Sequence, residues 1–327
     1  MALVCRICGN ANYNRSFTAR EMMFGTREAF GYFECSGCGT IQIEQVPDLA
    51  RHYPADYLSL GEVDDLDLSR TLPRRMAARL AGSYLNKGHG LLGRLVVRLK
   101  PWVAYHYPTY LRDISPRLTF DSRILDFGCG TGRLLQTLHY FGFRDLVGAD
   151  AFISADIRYP TGVNIIKGSL SDLEPPFDLI MLHHSFEHLP EPKKALTEIR
   201  RLLADNGTVL IRMPVVSEAW KTYGSDWVQL DPPRHLFLFT ESGFTSLAGE
   251  LGFVVERIVY DSTALQFWGS EQYRLDIPLN DPRSHEYSHA GTVFEAAQID
   301  DWCRQAEQLN SEGEGDQACF YLRKATT

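Results

Sequence analysis

The chain has 327 residues, 33 Lys or Arg against 41 Asp or Glu, a formal net charge of −8 and a hydrophobic share of 44%. That length accommodates one core domain of ordinary size and a smaller module, and the composition is that of a chain that buries a full core. The acidic balance excludes wholesale nucleic-acid binding. No stretch approaches the roughly 18 apolar residues of a membrane span, and no basic start with an apolar core opens the sequence, so a cytoplasmic protein is expected.

Residues 1–50 carry Cys5-x-x-Cys8 and Cys35-x-x-Cys38. Two such knuckles supply the four thiolates of a tetrahedral structural Zn²⁺, and Gly9 and Gly39 behind them let backbone N–H groups turn toward sulfur. The segment reads as a zinc ribbon-like module with strands over 33–35 and 40–43, and with so few apolar residues it requires its metal to fold. Four Arg against five acids leave no cationic face, so no nucleic-acid partner is expected and the module is structural or substrate-orienting. The remaining cysteines are Cys129, Cys303 and Cys319.

Residues 51–120 read as a helical linker or cap, basic and aromatic. The stretch 52–57 (HYPADY) leads onward, and an acidic run over 62–67 marks a solvated boundary. Between Arg70 and Lys100 stand eight Lys or Arg and no acid. Leu91, Leu92, Leu95, Val96 and Leu99 recur there at helical spacing, which predicts amphipathic helices broken near Gly88-His89-Gly90. Three readings stay open: a weak membrane-surface contact, a basic wall over an anionic substrate, or a solvated face packed on the main domain. Trp102, Tyr105, His106, Tyr107 and Tyr110 follow, either lining a sugar or ring pocket or packing in the core.

From Arg123 to Gly132 the sequence is RILDFGCGTG, an apolar strand ending on an acid and breaking into a glycine turn; Leu134, Leu135 and Leu138 then recur as on a helix. Glycine permits positive φ and close approach of a ligand to the backbone at a sheet's carboxyl end. The run Leu-Asp-Phe-Gly-Cys-Gly-Thr-Gly resembles the first motif of class I S-adenosylmethionine (SAM)-dependent methyltransferases more than the G-x-G-x-x-G of dinucleotide folds. The resemblance implies an α/β, Rossmann-like seven-stranded sheet over 121–327, its last strand antiparallel, with SAM held by Asp126, Gly128, Cys129, Gly130 and Gly132. Asp126 then organises the loop around the methionine amino group.

Alternating strands and helices follow. Strands are expected over 146–150, 163–167, 177–183, 208–213, 253–260 and 318–322, with helices over 195–203, 241–251 and 293–309. Asp150 ends the second strand, where a carboxylate holds the ribose hydroxyls; Ser169 and Leu170 fall where the resembling family meets adenine, and His183 joins the cofactor side. Pro160 curtails the usual second helix. An insertion at about 262–312 reads as a lid or dimer surface.

The segment 183–188 (HHSFEH) contains H-x-x-E-H, formally an inverted zinc-peptidase motif, but a strand feeds it and Pro190 and Pro192 interrupt the helix that motif needs. Glu187 and His188 are instead candidates for touching cofactor or substrate. In the segment 231–235 (DPPRH), His235 is the first candidate for accepting a hydroxyl proton, with Asp231 orienting it and His188 as the second choice. The zinc knuckles with HYPADY, FEHLPEP and PPRHLFLFT resemble bacterial methyltransferases of polysaccharide and nucleotide-sugar pathways. That resemblance implies methylation of a sugar hydroxyl on a glycan or nucleotide sugar. The alternatives are carbon methylation of a keto nucleotide-sugar, O-methylation of a small natural product, or a non-catalytic binding module on the same fold.

Overall fold

The computed structural model describes residues 3–53, 71–114, 118–287 and 293–326. The acidic run 62–67 and residues 54–57 of the HYPADY stretch lie outside the described residues.

The N-terminal module is a small antiparallel sheet of β1 (Arg15–Arg20), β2 (Ala29–Glu34) and β3 (Ile41–Ile43) beside the four cysteines. The basic segment forms α1 (Leu72–Lys87) and α2 (Leu91–Leu99), followed by the short α3 (Pro101–Tyr105). Thr71 caps α1 by accepting from the Arg74 N–H, and Gly88 closes it at φ +71°, the break anticipated at 88–90. Two glycines let this hairpin pack closely. A Cβ on Gly93 would lie 2.3 Å from the Leu80 carbonyl oxygen, and one on Gly82 would lie 2.1 Å from that of Phe141.

The main sheet begins with β4 (Arg123–Phe127), whose glycine turn leads into α4 (Arg133–Phe141), β5 (Asp145–Asp150), β6 (Ile157–Arg158) and β7 (Asn164–Lys167). It continues through β8 (Phe177–His183), α5 (Pro192–Leu202), β9 (Leu203–Pro214), α6 (Glu218–Tyr223), β10 (Phe237–Leu238), α7 (Glu241–Glu250) and β11 (Phe253–Tyr260). The chain closes with α8 (Leu265–Arg274), α9 (Ala296–Glu312) and β12 (Gln317–Lys324). The strand order is β11-β12-β9-β8-β4-β5-β7-β6, with β12 antiparallel to both of its neighbours. This is the expected mixed sheet with one additional strand. Where a helix commonly joins the second and third strands, the short β6 pairs antiparallel with β7, and Pro160 falls just beyond it. Two bounds also shift: α5 starts at Pro192, whose missing N–H is no loss at a helix's first position, and β9 begins at Leu203 instead of 208. Gly313, at φ +77°, stops α9 three residues beyond the expected end.

Alternation along the strands divides the interior into two cores. Leu125, Ile180, Leu182, Val209 and Ile211 face α5 and α7; Ile124, Leu179, Met181 and Leu210 face α1 and α4. The first core continues into the zinc module through Phe33, Ile41 and Ile43. Backbone pairing makes the join firm, since β10 adds to β3 with Leu238 opposite Ile41 and Phe237 opposite Gln42.

The insertion, expected as a lid or dimer surface, is packed as a strut. Gly269 of α8 sits against Val228, the Val228 N–H donates to the Ser270 hydroxyl at 3.0 Å, and Leu279 and Asn280 donate to the Met22 and Met23 carbonyls at 2.8 Å. Asp276 pairs with Arg20 and Arg27 at 3.1 Å. The strut therefore ties the zinc module to the loop that precedes β10.

Candidate active site

β4 delivers its last residue, Phe127, to the carboxyl edge of the sheet, and the chain turns through Gly128, Gly130 and Gly132 at φ +75°, +54° and +83°. At Gly128 a Cβ would stand 2.4 Å from that of Ser185, so both conformation and space demand glycine. The Ser185 hydroxyl donates to the Phe127 carbonyl at 2.8 Å and ties this turn to the exit of β8. Asp150, at the end of β5, accepts from the Gly130 N–H at 2.8 Å and the Phe152 N–H at 2.7 Å. It thus braces the turn while lining the cavity beside it.

That cavity encloses about 700 Å³. Phe127, Gly128, Asp150 and Phe152 form one wall, and Tyr53, His183, His184, His188 and Pro190 form the other. Of the residues assigned to the cofactor, Gly128, Asp150 and His183 line it. Asp126, Gly130 and Gly132 build the turn behind the wall, and Cys129 packs back toward Gly148 of the sheet. Ser169 and Leu170 do not line it. The Ser169 N–H and hydroxyl donate to Asp172 at 2.8 and 2.7 Å in a capping box, and the Leu170 side chain is buried in the core.

Burial, with Asp150 adding to it, pushes the Asp126 carboxyl up to about 8. A cationic group arriving at the turn would reverse that shift, so the glycine cradle and the two acids fit a ligand with a positive charge near its amino-acid end.

The opposite wall is organised around Glu187. Its side chain is fully buried, and neither carboxylate oxygen has a hydrogen bond of ordinary geometry. His184 Nδ1 stands 3.5 Å away and His235 Nε2 3.9 Å away. Burial raises its pKa, but His184 and the charges of His188 and His235 outweigh that and hold it at about 2. His188 presents Nδ1 to the Arg234 carbonyl at 2.8 Å and to the Tyr53 hydroxyl at 3.0 Å. A carbonyl only accepts, so Nδ1 carries a proton, and in the neutral ring the lone pair is then on Nε2. His235 is placed in the same tautomer by the Gln229 carbonyl at 2.7 Å.

The two candidate bases are placed differently. His188 lines the cavity, whereas His235 is 6% exposed and lies behind it with ring centroids 4.8 Å apart. Burial, reinforced by His188, pulls His235 down to about 4. Asp231 does not orient His235. It clasps Arg234, with Nε at 2.9 Å, and stays 3.9 Å from the imidazole. His183 is pushed down to about 3 by burial and by Arg212, and its ring lies 4.5 Å from that of Tyr110. Of the five aromatic-cluster residues, Tyr110 alone packs on a cavity residue through a ring contact recorded among the described residues. Tyr107 packs edge-on against Phe141, and Tyr105 is exposed.

The sequence did not single out Tyr53, Phe152, Arg234 or Glu21 for these places. Tyr53 stacks on Phe152 at 4.6 Å, and both line the cavity. Arg234, fully buried, joins Asp231 to Glu21 of the zinc module at 2.8 Å, and the Tyr32 hydroxyl donates to the His235 carbonyl at 2.9 Å. The signals were the HYPADY and PPRH motifs, read there as a linker and as a loop with one base.

The Cys5, Cys8, Cys35 and Cys38 sulfurs all lie within 4.8 Å of one another, with Cys5 to Cys38 at 3.7 Å and Cys8 to Cys35 at 3.5 Å. A Zn–S bond of about 2.3 Å in a tetrahedron requires sulfurs just under about 4 Å apart. The Ile7 and Gly37 N–H groups donate to Cys5 and Cys35 sulfur at 3.4 and 3.3 Å. The donor set is compatible with a zinc module. Glu187, His188 and His235 also bring ligand atoms within 4.8 Å of one another, but from a 3-10 turn and a separate loop, not from the helix of a peptidase motif.

Residues 100–258 match the family model described as a methyltransferase domain. Over that stretch, just under half of the chain, the protein is similar to methyltransferases. No curated protein matches the chain. Among solved structures, a protein of Galdieria sulphuraria described as a sarcosine dimethylglycine methyltransferase is 15% identical, covering 72% of this chain and 88% of that one at a TM-score of 0.43. The cyclopropane synthase MmaA2 of Mycobacterium tuberculosis is 15% identical over 62% and 78% of the two chains, with a TM-score of 0.41. An O-methyltransferase of a Brevibacillus brevis polyketide multienzyme, in complex with S-adenosyl-L-homocysteine, is 17% identical over 70% and 78%, with a TM-score of 0.39.

Proposed function

We propose that this methyltransferase transfers the methyl group of SAM to a hydroxyl of a sugar, on a glycan or nucleotide sugar, in cell-surface polysaccharide biosynthesis. The observation that carries the reading is His188, whose Nδ1 is committed to a backbone carbonyl and whose lone-pair nitrogen belongs to a residue lining the cavity shared with Gly128 and Asp150. SAM supplies a methyl group on a positively charged sulfur that leaves as a neutral thioether. No acid is then needed for departure, and the protein's task is alignment and removal of one proton. In this reading Asp150 and the glycine turn hold the cofactor, Asp126 balances its cationic end, and His188 takes the hydroxyl proton. The resulting imidazolium sits beside the ionised Glu187, which also has His184 at 3.5 Å, and His235 supports the pair from behind. Pro190 and the Tyr53–Phe152 stack shield the site from water.

The sugar class is supported by the joint presence of the zinc knuckles, HYPADY, FEHLPEP and PPRHLFLFT, and by a wall of imidazoles and a phenol suited to hydroxyl groups. Among the described residues, none of the seven Lys or Arg from Arg74 to Lys100 lines the cavity, so their charge is assigned another role below. We assign a structural Zn²⁺ to the four cysteines, outside the chemistry, and a cytoplasmic setting in keeping with seven cysteines that form no disulfide.

His188→Ala should lower the turnover number by about 10²- to 10⁴-fold with SAM affinity unchanged, and His235→Ala should cost less. If both variants keep full turnover, His188 is not the base. Methylation of small phenols with none on nucleotide sugars or glycan fragments would refute the sugar assignment, and methyl incorporation at carbon would place the reaction with keto-sugars.

A further inference from the structure

The α1–α2 hairpin turns an apolar, basic face outward. Leu91, Leu92, Leu95 and Leu99 of α2 are 85%, 66%, 51% and 69% exposed, and their spacing puts them on one stripe of the helix. The opposite stripe, through Gly93, is the one that packs on Leu80 and Tyr84 of α1. A surface helix ordinarily has one apolar stripe, turned inward; α2 has a second, turned to solvent. Leu72 and Met76 of α1 extend the exposed set.

Charge decides what would cover this face. Arg94 and Arg98 flank the leucine stripe, Lys100 follows it, and from Ser69 to Arg112 the sequence holds no Asp or Glu. On a chain of net charge −8 this is a local concentration of one sign. A second protein surface of ordinary mixed charge would leave these cations unmatched. A bilayer offers both components at once, acyl boundary for the leucines and anionic headgroups for the guanidinium groups. No described helix is long and apolar enough to cross a membrane, so the contact is with the surface.

We propose that α1 and α2 dock this enzyme on a membrane surface containing anionic phospholipid, with the leucine stripe of α2 inserted at the headgroup boundary. The linker beyond α3 runs from this hairpin to Tyr110, which packs on His183 of the cavity wall. Docking therefore holds the methyl-transfer site near the membrane.

The test is flotation of the full-length chain with vesicles of phosphatidylcholine alone or of phosphatidylcholine mixed equally with phosphatidylglycerol. Partitioning should be at least about tenfold stronger on the anionic vesicles and should weaken as salt rises. Leu92→Ser with Leu95→Ser, and separately Arg94→Glu with Arg98→Glu, should each abolish it while leaving SAM affinity and the melting temperature unchanged. Equal partitioning on both vesicles, none on either, or unaltered partitioning of the variants would overturn the proposal. So would a dimer in solution that the Leu→Ser pair dissociates, which would assign the face to a second copy. Binding only after neutralisation of the acids at 62–67 would assign it to that segment.

Discussion

Asp126 illustrates how far one side chain's environment reaches into function. Its folded pKa of about 8 lies above the ordinary carboxyl value, so at neutral pH the ligand-free carboxyl holds a proton that it loses when a cation arrives. SAM affinity should accordingly fall as pH drops below about 8, by up to about tenfold per pH unit, with proton release on binding. Titration calorimetry in buffers of different ionisation enthalpy measures that proton directly, and Asp126→Asn should abolish the pH dependence. A binding constant flat between pH 6 and 9 (about the range in question) would show that Asp126 is ionised before the ligand comes. Gly128→Ala makes a sharper demand, because its Cβ meets Ser185 at 2.4 Å in a positive-φ turn. Binding of SAM should be lost in that variant while the far-ultraviolet circular dichroism persists.

The strand–turn–helix junction and the four cysteines were legible in the sequence because each depends on local pattern: an apolar run, glycine spacing, paired knuckles. The different placement of His188 and His235 was not. Both stand in motifs of similar composition, and only the burial of His235 behind His188, fixed by β10 joining β3 across nearly two hundred residues of sequence, separates them. The packing of the insertion was not legible for the same reason, since its contacts to Met22, Met23 and Val228 are long-range.

The N-terminal four-cysteine module and the β10 loop act as one element. Arg234 is fully buried between Asp231 and Glu21, and removing one partner of such a pair leaves an uncompensated buried charge. Arg234→Gln, which strips the guanidinium from between two carboxylates, should therefore destabilise the protein by several kcal/mol, about 3–5 by that precedent, as read from chemical denaturation, and should lower turnover more than SAM affinity. A loss below about 1 kcal/mol would mean the pair is solvated in solution. The metal is expected to act through the same join. Purified protein should hold about one Zn²⁺ per chain, and Cys5→Ser with Cys35→Ser should lose it along with turnover, although no sulfur touches the cavity. Full activity in a zinc-free variant would detach the module from the site, and recovery on adding Mg²⁺ would mark a metal-dependent O-methyltransferase instead.

At the scale of the whole molecule, the glycine turn and a histidine cluster meet at one cavity, and the loop that carries His235 is joined to a module more than a hundred residues earlier in the chain. The insertion braces that module, and the basic hairpin presents the assembly to a surface. The measurement that tests this account most directly follows methyl transfer from SAM carrying a labelled methyl group to a panel of nucleotide sugars and glycan fragments, with wild type and His188→Ala side by side. The account predicts label on a sugar oxygen with wild type and a loss of at least about a hundredfold with the variant at equal SAM occupancy. Transfer by His188→Ala at the wild-type rate, or no transfer to any sugar together with methylation of small phenols, would contradict it.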